Sequence, residues 1–506
     1  MKFEIGVEGE GLDLDEANGQ VVQGFGGGGM KKVQNANRSS VMDIGSGPQV
    51  FLDDFFLESA EGAGRIYCPP KRHPYPVVPQ TETQRRIQPF IAVRYDPEKA
   101  RFRMWYSLIG PIGISHAYAE SSDGIRWEFP NLGLVEVAGN TRNNLLPTVR
   151  EGATGYPISL IDHGPDFSPL EQRFKFLGFR GVEEKVGLWG LVSPDGLNWK
   201  RGSYNPVLPY HPSYNDIVDV FYDPDRRRYV ALIGLLAGPE DGYIGKSRTG
   251  PIRRLIGQSE STDFVHWSEP RRIMEPSDKS DLTEFYGMSV FLLNGLFLGF
   301  VRILRDDLPA DNDGPVEGIG WTELAVSRDG NTWNRLHGKY FDRNPVPGTW
   351  DHAMAWATAP VLVGDQMLFY YGGYQEGHKI GKRQIGLASS LPNRFVALEN
   401  EASSPAYLRT KPFRTTCRFL FLNLDALKGT VRVQLRNARN QVLENYAFDD
   451  CLPISGNHLS FPTRWRNAPQ LPESRKEGII LDVEILRGRI YAVHFSDKKE
   501  EMCPCG

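Results

Sequence analysis

Ser121-Ser122-Asp123-Gly124-Ile125-Arg126-Trp127 returns as Ser193-Pro194-Asp195-Gly196-Leu197-Asn198-Trp199 and again as Ser327-Arg328-Asp329-Gly330-Asn331-Thr332-Trp333. A variant, Ser261-Thr262-Asp263-Phe264-Val265-His266-Trp267, stands between the second and third copies. A degenerate fifth copy runs from Ser389 to Phe395, with an aromatic in place of Trp. The closing aromatics at 127, 199, 267, 333 and 395 are separated by 72, 68, 66 and 62 residues. Such near-even spacing marks a repeat architecture.

Upstream of each copy, an apolar strand, a polar turn and an aromatic-rich strand follow one another. The pairs are Ile91–Tyr95 with Phe102–Tyr106, Ile158–Ile161 with Phe174–Phe179, and Val218–Tyr222 with Tyr229–Ile233. Met288–Leu293 with Leu296–Val301 and Ala359–Val363 with Met367–Tyr371 complete the series. Asp96-Pro97 and Asp223-Pro224 supply turn chemistry, and Asn294-Gly295 divides the most apolar stretch into a buried hairpin. The repeat length suits a four-stranded antiparallel sheet, and five such sheets around an axis make a β-propeller. Helical periodicity is almost absent.

The fold expected is therefore all-β: a flexible leader over 1–40, a five-bladed propeller over 41–400, and a β-sandwich with a short tail over 401–506. The first blade takes a closing strand near Val50–Leu57. In the sandwich, strands are expected at Arg418–Leu424, Val431–Leu435, Val442–Phe448, Ile479–Ile485 and Ile490–Phe495.

The 506 residues carry a net charge of −4, with 40% hydrophobic and 24% charged residues. No cationic field draws such a chain to nucleic acid or anionic lipid. Five cysteines, at 68, 417, 451, 503 and 505, make no disulfide framework, although Cys417 and Cys451 are close enough in sequence to pair within the second domain. The N-terminal residues lack a basic start followed by an apolar core, which points to the cytoplasm. There is no HExxH, zinc-type cysteine cluster, phosphate loop or dinucleotide turn.

In a propeller the inner strands converge, so polar residues just before them become neighbours. This rule gathers Glu82, Arg86 and Gln88 at blade one, and Asp216 and Asp219 at blade three. Blade four contributes Asp281, Glu284 and Tyr286, and blade five Trp350, Asp351 and His352. Arg302, after the blade-four hairpin, joins them as a contact to a hydroxyl-rich or anionic substrate. Glycoside hydrolysis needs one protonated and one ionised carboxyl group across the scissile bond. Asp216, Glu284 and Asp351, from three blades, are the candidates for that chemistry, and the other residues are candidates for substrate binding. The competing reading is that these acids cap turns or pair with arginines. His352 reads equally as an acid, a ligand to a central metal ion or a turn residue. No cofactor is required, and a structural calcium ion on the axis is compatible with the design.

The repeats, together with Glu284-Phe285-Tyr286-Gly287-Met288-Ser289-Val290-Phe291, resemble the five-bladed propeller hydrolases of glycoside hydrolase family 32 and its relative family 43. Asp216-Ile217-Val218-Asp219-Val220-Phe221 is similar to the segment carrying the general acid of family 32, which implies that role for Asp216. The resemblance implies a glycosidase acting on a terminal sugar of an oligo- or polysaccharide, a furanosyl residue being one candidate. It departs where that family carries Asn-Asp-Pro and Arg-Asp-Pro, because Arg86–Phe90 and Gly155–Ile158 hold no Asp. Glu82 or the Asp53-Asp54 pair would then replace the nucleophile. A glycoside phosphorylase on the same fold, and a sugar-binding propeller without catalysis, are the competing readings.

Overall fold

The computed structural model describes residues 41–80, 86–110, 113–151, 156–157, 160–180, 186–248 and 250–499. The leader, Glu82, Cys503 and Cys505 lie outside the described residues, as does the side chain of Asp216. The chain is all-β and divides into two compact units.

One unit comprises residues 70–361 and 368–389. Among the described residues it contains four sheets, the last of nine strands; because that sheet divides at a single parallel bridge, the strands fall into five successive sets. Set one runs Arg86–Asp96, Arg101–Gly110, Gly113–Ser121 and Leu145–Leu146; set two runs Ile161–Asp162, Phe174–Arg180, Gly187–Ser193 and Lys200–Arg201. Set three is Tyr214–Asp223, Arg228–Ala237, Arg253–Ser261 and Arg271–Met274, with Tyr156–Pro157 laid parallel to its first strand. Set four is Glu284–Leu293, Leu296–Arg305, Ile319–Ser327 and Asn334–Phe341. Set five is Met354–Ala357, Gln366–Tyr374, Arg383–Ser390 and, from far upstream, Lys71–Arg72. Sets four and five share one parallel pair, Gly320 with Met354. The first strand of set five thus begins earlier than the apolar pattern of Ala359–Val363 suggested. In set four, Asn294 (φ 47°) and Gly295 (φ 77°) form the two-residue turn their sequence requires.

The repeated signature has a physical job. In the first copy Ser121 Oγ receives the Gly124 amide at 2.9 Å, while Asp123 Oδ1 accepts the amides of Ile125 and Arg126 at 2.8 Å each. The second to fourth copies repeat this around Asp195, Asp263 and Asp329. The residue after each Asp sits in the left-handed region, which Gly enters without steric cost. Phe264 (φ 68°) takes the same conformation, with its ring against Tyr229 and Trp267.

These turns also join the sets. Trp105 of set one donates to the Gly196 carbonyl of set two at 2.7 Å, and Arg228 of set three to the Asp329 carbonyl of set four at 3.0 Å. Tyr370 of set five donates to the Gly124 carbonyl of set one at 2.8 Å, so the last set docks on the first. Phe90, Ile217, Tyr286, Met354 and Trp356, from the first strands of sets one, three, four and five, lie in one buried cluster. The chain ends of four sets converge there.

The other unit comprises residues 390–499 with 41–69 and the short segment 362–367. Its eleven-stranded sheet centres on Phe419–Asn437, Ile479–Leu486 and Gly488–Ser496. Gly47–Val50 pairs with Gly488–Ser496, and Leu57–Glu61 with Ala406–Thr410. The segment near Val50–Leu57 therefore does not close the first unit; Lys71–Arg72 takes that edge position. Its alternating apolar residues find their core against Leu420, Leu422 and Phe495. Val442–Phe448 forms turns rather than the expected strand, because Asn440 and Asn445 both adopt positive φ (67°). Ile454–Pro462 supplies the neighbouring strand instead. Cys417 and Cys451 are buried and form no disulfide with one another. Among the described residues, no helix is long and apolar enough to cross a membrane.

Candidate active site

In an antiparallel pair, the first strand begins at the end where the second finishes. Glu284 opens its strand opposite Leu304, so Asp306 emerges beside it. Met354 opens set five opposite Tyr374, and the loop that follows carries His378. The loop after Arg228–Ala237 brings in Ser247. Together these segments gather a buried polar cluster beside the converging aromatic cluster.

Glu284 is fully buried. Its Oε2 accepts Arg254 Nη1 at 2.5 Å and its Oε1 accepts Ser247 Oγ at 3.3 Å. Burial pushes its carboxyl above the usual range, against the pull of Arg254, and the charge of Asp306 adds to the rise. Asp306 is equally buried, and its Oδ1 accepts His378 Nδ1 at 3.2 Å. Burial also raises Asp306, but the His378 hydrogen bond and the Arg254 and Lys379 charges outweigh that effect and hold it below the carboxylate range. Burial pushes His378 down to about 4, so near neutral pH its imidazole is uncharged. An uncharged ring that donates from Nδ1 leaves Nε2 as an acceptor. Asp306 Oδ2 is buried with no hydrogen-bond partner among the described residues. Two carboxyl groups whose surroundings drive their protonation apart thus share one site.

The floor is aromatic. Tyr286 stacks on Trp356 at 4.6 Å and lies parallel to Phe90 at 6.1 Å, with His378 edge-on at 5.1 Å. The Arg254 guanidinium sits 5.1 Å from the Tyr286 ring centroid. Alongside, Arg302 Nη1 meets Asp219 Oδ2 at 3.0 Å, both nearly inaccessible. Gln88 is buried, and its Oε1 has no partner among the described residues. Arg86 is half-buried and donates to the carbonyls of Lys379 and Gly381.

Of the residues expected from sequence, the structure therefore links Glu284 and Tyr286 through Arg254, and joins Asp219 to Arg302. Asp351 has different company. Its Oδ2 accepts Arg72 Nε at 3.1 Å and the Tyr371 hydroxyl at 3.0 Å, while Trp350 stacks on Tyr371 at 5.3 Å. Gly373 and Gly386 leave the space that Trp350 fills, since a Cβ at either would lie 2.2–2.3 Å from its ring. This is an ion pair between the turn before the first strand of set five and its edge strand. His352 spans from the Asn344 carbonyl (2.8 Å) to Asp311 (2.9 Å). Asp281 accepts the Thr283 amide at 2.9 Å and shapes its turn. In the other unit, Asp53 accepts the Phe55 amide and Asp54 pairs with Arg65. Among the described residues no three His, Cys, Asp or Glu gather to hold a metal ion, so the axial calcium site considered from sequence has no acidic cage there.

Asp306, His378, Arg254 and Ser247 escaped the sequence rule because it inspected only the residues before each first strand. The antiparallel register carried the missing signal: the residues just past each second strand reach the same end.

No family model and no curated protein matches the chain. Solved structures give distant likenesses. One is the catalytic domain of the Coprinopsis cinerea GH62 α-L-arabinofuranosidase, at 14% identity over 63% of this chain and 96% of that one, with a TM-score of 0.40. A fructofuranosidase variant from Schwanniomyces occidentalis complexed with fructosylnystose covers 83% of this chain and 96% of its own, at 11% identity and a TM-score of 0.40. A structure described under the GH130 family of mannoside phosphorylases, said to contain hydrolases targeting β-1,2-mannosidic linkages in Candida mannan, gives 12% identity, 68% and 97% coverage, and 0.40.

Proposed function

We propose that residues 70–389 form a five-bladed β-propeller whose cup cleaves a glycosidic bond, with the residues around 400–499 forming an appended β-sandwich. The reading assigns Glu284 to deliver the proton to the leaving oxygen. Asp306 remains ionised and acts on the opposite side of the sugar ring, directly or through water. Tyr286, stacked on Trp356, makes the apolar floor of the site, and Arg254 governs when Glu284 holds its proton. Asp216, on the first strand of set three, is a further candidate acid because of its motif.

The observation that carries this reading is the pairing of a carboxyl raised by burial with one held low, inside one cup. The substrate proposed is a terminal sugar of an oligo- or polysaccharide. Turnover of a panel of aryl glycosides and oligosaccharides by wild type, Glu284→Gln and Asp306→Asn tests it. Loss of activity in both variants while each remains folded supports the assignment; full activity in either removes that residue. A glycoside phosphorylase is the second reading, favoured by the guanidinium groups beside the carboxyls, and phosphate-dependent turnover would select it.

A further inference from the structure

Three buried donors beside the proposed catalytic carboxyls lack partners among the described residues: Arg302 Nη2, Arg383 Nε and the Tyr374 hydroxyl. Each belongs to a side chain at least nine-tenths buried. They come from adjacent elements. Arg302 lies on the second strand of set four, Tyr374 at the end of the second strand of set five, and Arg383 at the start of the third. The Arg383 guanidinium lies 5.0 Å from the Tyr374 ring centroid, and Arg86, Arg302 and Arg383 all act electrostatically on Tyr374.

The charges around these donors do not balance. Asp219 takes Arg302 and Glu284 takes Arg254, while Asp306, hydrogen-bonded to an uncharged His378, keeps a single negative charge. Among the described residues, Arg86 and Arg383 instead donate to main-chain carbonyls, of Lys379, Gly381 and His378. The two guanidiniums also repel one another, and the acid that offsets Arg86, Glu376, is exposed to solvent. Lys379 adds a further positive charge near Asp306. Buried cations are ordinarily matched by a counter-charge, and guanidinium forks fit planar or tetrahedral oxyanions.

We propose that Arg86, Arg302, Arg383 and Tyr374 form an oxyanion-binding subsite next to Glu284 and Asp306, which receives either the carboxylate of an acidic sugar or inorganic phosphate. The subsite deepens the glycosidic reading of the cup, because its anion would lie beside the bond being cleaved. A carboxylate on the substrate would make the enzyme selective for uronic-type sugars. Phosphate in the same place would act as the attacking group, its oxygen forming the new bond to the anomeric carbon while the leaving oxygen takes the Glu284 proton.

Calorimetric titration of the full chain with inorganic phosphate, glucuronate and glucose, at low salt and at high salt, tests the subsite without requiring turnover. Binding of phosphate or glucuronate, but not glucose, is expected, weakened by salt and lowered about tenfold or more in Arg86→Gln. Arg383→Gln should abolish binding; because Arg383 also supports the His378 carbonyl, the half-buried Arg86→Gln decides the matter should that variant fail to fold. Phosphate alone identifies the attacking anion, and glucuronate alone identifies an acidic substrate. Binding of neither anion, or equal binding by a folded Arg86→Gln, overturns the proposal. Anion binding in a protein inactive on every glycoside would refute the glycosidic reading alone. Activity on neutral glycosides without anion affinity would refute the subsite alone.

Discussion

Gly196 holds the second signature turn against the neighbouring set, and its replacement by Ala tests how one set is joined to the next. Its φ is +76°, and an added Cβ would lie 2.8 Å from Trp105 Cζ2, 3.3 Å from Arg103 Nη2 and 3.4 Å from Phe174 Cδ1. A left-handed Ala costs about 1–2 kcal/mol. Overpacking against a buried Trp adds about 1–3 kcal/mol, because the Trp105 indole is also tied to the Gly196 carbonyl at 2.7 Å and cannot retreat freely. Gly196→Ala should therefore lose about 2–5 kcal/mol. Gly133 is the control: its φ is +71°, yet nothing lies within 4 Å of the added atom. Gly133→Ala should show the backbone cost alone, about 1–2 kcal/mol. Urea unfolding followed by tryptophan fluorescence gives both values from midpoint shifts at constant slope. Equal losses in the two variants would refute the claim that the signature docks one set onto the next.

Replacing Glu284 by Gln should lower turnover by about 10²–10⁴-fold, the usual contribution of a positioned proton donor; steady-state kinetics on the best substrate of the panel measures it. Turnover in the wild type should fall on the alkaline side as Glu284 loses its proton, at a pH above the ordinary glutamate value, and on the acid side as Asp306 gains one, below the ordinary aspartate value. A pH–rate profile whose acid limb is unmoved in Asp306→Asn would contradict that assignment. Asp351→Asn should cost about 2 kcal/mol, less than a fully buried pair because Arg72 is partly exposed. It should leave kcat within about threefold, within which a structural pair is expected to stay, as thermal melts and kinetics can show together. The signature aspartates Asp123, Asp195, Asp263 and Asp329 all titrate below the ordinary value, because backbone and side-chain hydrogen bonds outweigh burial. A depressed folded pKa gives stability that is present above the unfolded value and lost as pH falls through the folded one. Melting temperature should therefore drop steeply on acidification, and the drop should be shallower in Asp329→Asn.

The repeat itself was written in the sequence, because its turn is local: one Ser, one Asp and a residue tolerant of positive φ close a loop within seven positions. Strand pairs joined by Asn-Gly or Asp-Pro turns were legible for the same reason, as was Glu284 at the head of its strand. Partnerships across the chain were not. Lys71–Arg72 and Gly47–Val50 are both short upstream segments, yet one edges the fifth set and the other joins the C-terminal sheet. Only the available sheet edges decide between them. Asp351 and Glu284 likewise look alike in sequence, each an acid before an apolar strand. Tertiary packing gave Asp351 an arginine and a tyrosine within its own set, and placed Glu284 with Arg254, Asp306 and His378 in a buried cluster where burial and charge set the protons.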